Sequence, residues 1–233
     1  MSTAAPKAKV IDLFSGQQHN ANSRPSVVRL APELDGFEVL YSNVQGHPTA
    51  GQELFCINIL FWALLDDGSF AGMIPWFDEL IPCPDLNSPN RGFFQGYFDP
   101  GLDQILPQVP EHKCVELITA ADYFDFETDD NIFVVQELPD TCGSHAVFTS
   151  DNFDSFTMVE VFSWRLFSDG SIKALMINQD KVQQWPVLIG DDCLQACSDA
   201  PDFVNFFQYR VAINIKQHDA QTLAVLDQLK SDL

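Results

Sequence analysis

Trp62-Ala63-Leu64-Leu65-Asp66-Asp67-Gly68-Ser69 and Trp164-Arg165-Leu166-Phe167-Ser168-Asp169-Gly170-Ser171 are two versions of one pattern. Trp, Leu, Asp, Gly and Ser recur at the same offsets. The residues before each Trp match in character, Ile57, Ile59 and Leu60 against Val159, Val161 and Phe162. An Asp-Gly pair between apolar runs is a strong hairpin signal, because a tight type I′ turn needs positive φ at both central residues. The expected register pairs Leu65 with Phe70 and Trp62 with Met73. In the second copy it pairs Phe167 with Ile172 and Trp164 with Leu175.

Side chains alternate across a strand, so each hairpin has two legible faces. The first hairpin is apolar on both, with Leu60, Trp62, Leu64 and Met73 against Phe61, Ala63, Leu65, Phe70 and Ile74. That is the pattern of a hairpin covered on both sides. The second is apolar on one face only, Phe162, Trp164, Leu166 and Leu175. Ser163 and Arg165 mark its other face as half exposed.

Working outward, Trp76, Leu80-Ile81 and Cys83 follow the first hairpin, and Trp185, Leu188-Ile189 and Cys193 follow the second. A glycine-linked histidine precedes each, Gly46-His47 and Gly143-Ser144-His145. These repeats point to a two-fold duplication with a period of about a hundred residues, far longer than a solenoid or propeller unit.

Elsewhere the pattern is read as a loose arm over 1–24, with one short element near Val10–Phe14. Strands are expected at Val27–Leu30, Phe37–Ser42, Leu54–Leu65, Phe70–Phe77, Val115–Ile118, Ile132–Gln136, Ala146–Thr149, Thr157–Phe167 and Ile172–Asn178. Six prolines between 82 and 112 argue against a long helix or a central strand there and suggest a linker. A short helix is expected at Asp191–Ser198. A second should begin near Pro201, with Phe203, Val204, Phe206 and Phe207 as its apolar side. Val211–Ile215 is ambiguous. A final helix capped by Asp219 would present Leu223, Leu226 and Leu229 on one face. The expected fold is therefore α+β: antiparallel hairpins and meanders from two related halves, with helices concentrated at the C-terminus. The halves would be 25–112 and 113–233, merged in one globule.

Composition bounds the function. The 233 residues are 46% hydrophobic and include 20 phenylalanines, ample for a sheet-rich core. Thirty-three acidic residues face 12 basic ones, for a net charge of −21. Nucleic-acid binding needs a basic face, and anionic membranes repel such a chain. The acidity suits solubility, a basic protein partner or mimicry of a phosphate backbone. No signal peptide is legible, and the longest apolar run is too short to span a bilayer, so a cytoplasmic protein with free thiols is expected.

The densest charge lies at Asp122-Tyr123-Phe124-Asp125-Phe126-Glu127-Thr128-Asp129-Asp130, five carboxylates in nine residues. An EF-hand would need a glycine at its sharp turn and a closing glutamate, and both are missing. Asp122, Asp125, Glu127, Asp129 and Asp130 are instead read as a surface for a basic partner. The Cys-x-x-His spacing of Cys142 and His145 is acceptable for zinc, but His112-Lys113-Cys114 is not a familiar knuckle and Cys193-Leu194-Gln195-Ala196-Cys197 has the looser Cys-x₃-Cys spacing of a helix, so no metal or other cofactor is assigned. Cys142 and His145 are candidates for a nucleophile and its base, yet nearness in sequence is no support for such a pair. The four tryptophans suit core anchors better than a ligand pocket. No motif specific to a known family occurs. The expectation is a non-enzymatic acidic module of the immunity, inhibitor or adaptor type. An enzyme or small-ligand binder with a site in the cleft between the halves is the first alternative, and a DNA mimic the second.

Overall fold

A computed structural model of the chain describes residues 9–11, 18–20, 25–42, 54–86, 93–121, 132–150, 155–178 and 193–208. Strands make up 57% of the interpretable residues, against one short α-helix. The fold is antiparallel β, and this overturns the α+β expectation.

Strands β1 (Lys9–Ile11) and β2 (Gln18–Asn20) pair as a ribbon. The first half follows: β3 (Val27–Pro32), β4 (Glu38–Ser42), β5 (Leu54–Asn58), β6 (Phe61–Leu65), β7 (Phe70–Trp76), β8 (Glu79–Pro82), a 3₁₀ turn at Cys83–Leu86, β9 (Phe93–Asp99), β10 (Gln104–Leu106) and the helix α1 (Glu111–Ala121). The second half is β11 (Val134–Pro139), β12 (Ser144–Thr149), β13 (Phe156–Glu160), β14 (Ser163–Phe167), β15 (Ile172–Ile177), β16 (Leu194–Ala196), a 3₁₀ turn at Cys197–Asp199 and β17 (Phe203–Gln208).

Each half contains two sheets. The first has β3-β6-β7-β8 and β10-β9-β4-β5; the second has β11-β14-β15-β16 and β13-β12-β17. The order is the same in both, strand for strand, except that β10 has no counterpart among the described residues. The registers repeat as well. A bulge between Val27 and Arg29 on β3 recurs between Val134 and Gln136 on β11. A bulge opposite Leu40/Tyr41 recurs opposite Val147/Phe148. An aromatic chain descends through each half: Trp62, Tyr97, Phe94 and Tyr41 in the first, Trp164, Phe206, Phe203 and Phe148 in the second. The Trp62–Tyr97 centroids are 4.9 Å apart and those of Trp164 and Phe206 5.0 Å.

The registers correct several equivalences. Cys83 matches Cys197, not Cys193. Gly143 and His145 match Gly36 and Glu38. Trp185, Leu188-Ile189 and Gly46-His47 lie outside the described residues, as do Val211–Ile215 and the helix expected after Asp219.

The expected long strands 54–65 and 157–167 are each broken, at Ile59-Leu60 and at Val161-Phe162. At these kinks the chain leaves one sheet and enters the other, which is how sandwich corners are made. Leu60 and Phe162 hold the bend by donating their N–H groups to Met73 O and Leu175 O.

Both Asp-Gly hairpins form, one residue out of the expected register. Leu64 pairs with Phe70 and Trp62 with Gly72; Leu166 pairs with Ile172 and Trp164 with Ala174. Gly68 and Gly170 alone carry the positive φ, +81° and +80°. The loop is therefore the three-residue form closed by a left-handed glycine, not type I′. Gly68 donates to Leu65 O and Leu65 to Ser69 O; Gly170 and Phe167 repeat both bonds. Each loop is braced by its aspartate, since Asp67 and Asp169 accept the amide and hydroxyl of Ser69 and Ser171.

Two segments expected as helices near the C-terminus are strands, β16 and β17. For β17 the physical reason is the bulge. One extra residue, Val204, puts Phe203 and Phe206 on the same face although they are three apart, which copies a helical spacing. Conversely Val115–Ile118 lies in α1, which begins beyond Pro110 and buries Leu117. The proline-rich stretch is no simple linker. Its prolines bracket β9, which pairs with both β4 and β10, so a central strand does fit between them.

Two hydrophobic clusters result. One fills the first half between its sheets, around Trp62, Tyr97, Ile57 and Val39. The other joins the interior of the second half, around Trp164, Ala146 and Phe148, to the far face of β3-β6-β7, namely Leu30, Phe61, Ala63, Ala71 and Met73. The first hairpin is thus covered on both faces.

Candidate functional site

Where β3 ends, Glu33 follows Pro32; where β11 ends, Asp140 follows Pro139. Each carboxylate turns back beneath its sheet and accepts the indole N–H of the buried tryptophan, Glu33 from Trp62 and Asp140 from Trp164 at 2.9 Å. A buried indole N–H needs such an acceptor. The second oxygen of each carboxylate holds the turn into the next strand. Glu33 Oε1 accepts the amides of Asp35, Gly36 and Phe37; Asp140 Oδ1 accepts those of Cys142 and Ser144. Gly36 and Gly143 make the turn with φ of +85° and +67°. Sequence reasoning missed these corners, although Val-Val-x-x-x-Pro-(Glu/Asp)-x-x-Gly stands at 27–36 and again at 134–143.

The corners differ in what closes them. At the first, α1 packs against β3 and β6 and brings Lys113 in. The Lys113 ammonium, almost fully buried, lies 2.9 Å from Asp35 Oδ2 and 3.7 Å from Glu116. His112 adds a contact to Asp35 at 3.5 Å and packs near Phe37. Hydrogen bonding from Lys113 holds the Asp35 carboxyl below its usual range. Burial pushes the Lys113 ammonium down, but Asp35, Glu33 and Glu116 together raise it above the ordinary lysine value. At the second corner the residue matching Asp35 is Cys142, whose thiol points to Ile59 O at 3.5 Å. There the first half itself is the closing element, with Phe61 against Trp164.

His145 Nδ1 contacts Gly143 O at 3.0 Å, while Cys142 addresses Ile59. Burial pushes the thiols of Cys56 and Cys197 up to about 12, and those of Cys83 and Cys114 upward as well. Such thiols stay protonated at neutral pH and are poor nucleophiles. None of the six cysteines is joined in a disulfide. Among the described residues no group of three or more His, Cys, Asp or Glu could hold a metal ion, so His112, Cys114, Cys142 and His145 are not assembled into a site.

The charge distribution is more informative. Every lysine and arginine of described burial is turned inward or bound to a carboxylate. Arg29 is buried and Lys113 is latched to Asp35. Arg165 Nε meets Glu137 at 2.7 Å, and Lys173 meets Asp199 at 3.1 Å. Asp66, Asp67, Asp78, Glu79, Asp103, Glu111 and Asp202 are exposed. The candidate binding residues Asp122, Asp125, Glu127, Asp129 and Asp130 lie outside the described residues, in the segment that joins α1 to β11. Among the described residues no helix is long and apolar enough to cross a membrane.

No family model, no curated protein and no solved structure matches this chain.

Proposed function

We propose that this chain is a non-catalytic, acidic binding protein that acts in the cytoplasm on a basic protein partner. The contact surface is carboxylate-rich and centred on Asp122, Asp125, Glu127, Asp129 and Asp130. One observation supports this reading above the others: the described cations are buried or paired, so the outward charge of the described surface is carboxylate. Such a surface steers a basic partner to it and repels nucleic acid and anionic lipid. The raised thiols and the absence of a metal-ligand cluster among the described residues give an enzymatic reading no comparable support.

The test is calorimetric titration with a lysine-rich peptide at low and at physiological salt. Changing the five residues to amides should weaken binding about tenfold, an effect that shrinks as salt rises. The control is an equal change elsewhere, Asp66, Asp67, Asp78 and Asp103 to Asn with Glu79→Gln, which should weaken it less. Equal losses from the two sets would remove the localised surface. Unchanged binding in both would remove the basic partner.

A further inference from the structure

The two halves do not meet through like surfaces. The first half offers the far face of β3-β6-β7, and the second receives it at its Trp164 corner, where Cys142 addresses Ile59 O and Phe61 packs on Trp164. A contact between unlike surfaces of like units does not close by itself, and like units can repeat it head to tail. Both unused ends of this pair are blocked. The receiving corner of the first half is filled by α1, latched through Lys113 to Asp35, the counterpart of Cys142. The offering face of the second half carries a charged row. In the first half that row reads Leu30, Ala63 and Ala71, paired in register across three strands and buried. In the second half it reads Glu137, Arg165 and Lys173, paired in the same register and extended by Asp199. Ser163, in the place of Phe61, donates its hydroxyl to Glu137 at 2.7 Å. Phe162 is 42% exposed where its counterpart Leu60 is wholly buried.

We infer that the junction between the halves is a repeatable head-to-tail interface, and that α1 and the ionic row Glu137–Arg165–Lys173–Asp199 are its two end caps. The surface that the row protects fits one occupant, the Asp35 corner of a second copy of this chain. End units with polar outer faces stop repeat arrays from growing in the same way. The inference does not rest on the proposed function, because none of its residues is among 122–130.

The test is sedimentation velocity of the full chain across a dilution series. One lesion gives the second half the row of the first: Glu137→Leu, Ser163→Phe, Arg165→Ala and Lys173→Ala. The other reverses the latch with Lys113→Glu. Together they should produce a ladder whose weight-average mass passes about twofold that of one chain and keeps rising with concentration. The row lesion alone should associate less, and Lys113→Glu alone not at all. A row lesion that stops at a dimer regardless of residue 113 would overturn the inference, because two apolar faces would then be meeting symmetrically. Absence of association in the natively folded double lesion would overturn it too. Should the four-residue change abolish near-ultraviolet circular dichroism, Arg165→Ala and Lys173→Ala with Lys113→Glu carry the same test, with a smaller rise expected and none counting against it.

Discussion

The face of β6 that bears Phe61, Ala63 and Leu65 and the face of β14 that bears Ser163, Arg165 and Phe167 are the same surface in two copies. One is sealed in a core and the other carries ions. The backbone beneath them is alike in strand order, register and bulge, so backbone geometry cannot account for the difference. What separates them is whether the surface has a partner. Burying a flat apolar face is worth about 25 cal/mol per Å² removed from water. An unpartnered copy of that face would be an aggregation hazard, and paired charges remove the hazard at little cost in stability. The same contrast holds at the corners. Glu33 is buried under α1, while Asp140 remains half-buried.

Exchanging the rows should break this comparison most severely. Ala63→Arg places a guanidinium in the junction between the halves. It should cost on the order of 4 kcal/mol or leave the chain unfolded, whereas Arg165→Ala should cost about 1 kcal/mol or less. Urea denaturation followed by tryptophan fluorescence measures both. Similar losses at the two sites would show that the second face is as sealed as the first.

The corner carboxylates come next. Glu33→Gln keeps one acceptor oxygen of the two, so either the three backbone amides or the indole must face an NH2 group in a buried place, with an expected loss of about 2–3 kcal/mol. Asp140→Asn, with fewer donors and more water, should lose about 1–2 kcal/mol. A reversed order would show that α1 does not shield the first corner.

The turn glycines sharpen the comparison. Alanine at either position meets the same left-handed strain, about 1 kcal/mol. At Gly68 the added carbon enters open space. At Gly170 it would lie 2.8 Å from Ser26 Cβ and 3.3 Å from the Val27 backbone, where the second hairpin tip meets the first half. Gly170→Ala should therefore destabilise more than Gly68→Ala. Equal melting temperatures would deny that contact.

The smallest effect is the pH dependence of the latch. Asp35 is depressed in the folded state, so its contribution is present above its unfolded value near 4 and fades as pH falls through the lower folded value. Lys113 is raised, so its contribution is whole below about 10.5 and fades as pH rises through the higher folded value. The latch should be intact between those limits. Asp35→Asn should flatten the acid side and, by removing a carboxylate that raises Lys113, weaken the alkaline side as well, each by a modest amount because the carboxylate is half exposed. Hydrogen exchange of α1 amides reports it, and an unchanged acid limb in the variant would assign the latch to other contacts.

Several features are legible in the chain's residues alone. The hairpins, the coverage of the first on both faces and the half-exposed character of the second follow from alternation and Asp-Gly chemistry. The expected register is one residue out, because a two-residue turn and a three-residue loop share the Asp-Gly signature and differ only in which residues take positive φ. The helical spacing of Phe203 and Phe206 belongs to a bulged strand. The corners are spelled out twice by Pro32-Glu33 and Pro139-Asp140, a signal that hydrophobic periodicity does not carry.

By itself the sequence determined the local chemistry: where the chain turns, where glycine takes a left-handed conformation, and that the pattern occurs twice. These are short-range matters of sterics and hydrogen bonding between near neighbours. The tertiary structure alone decided which copy of each surface is buried, that 111–121 coils while 203–208 extends, and that Lys113 rather than a solvent ion stands beside Asp35. Those outcomes depend on long-range partners. Phe203 becomes a strand residue because β12 offers an unpaired edge, and Ala63 lies in a core because the Trp164 corner is open to receive it.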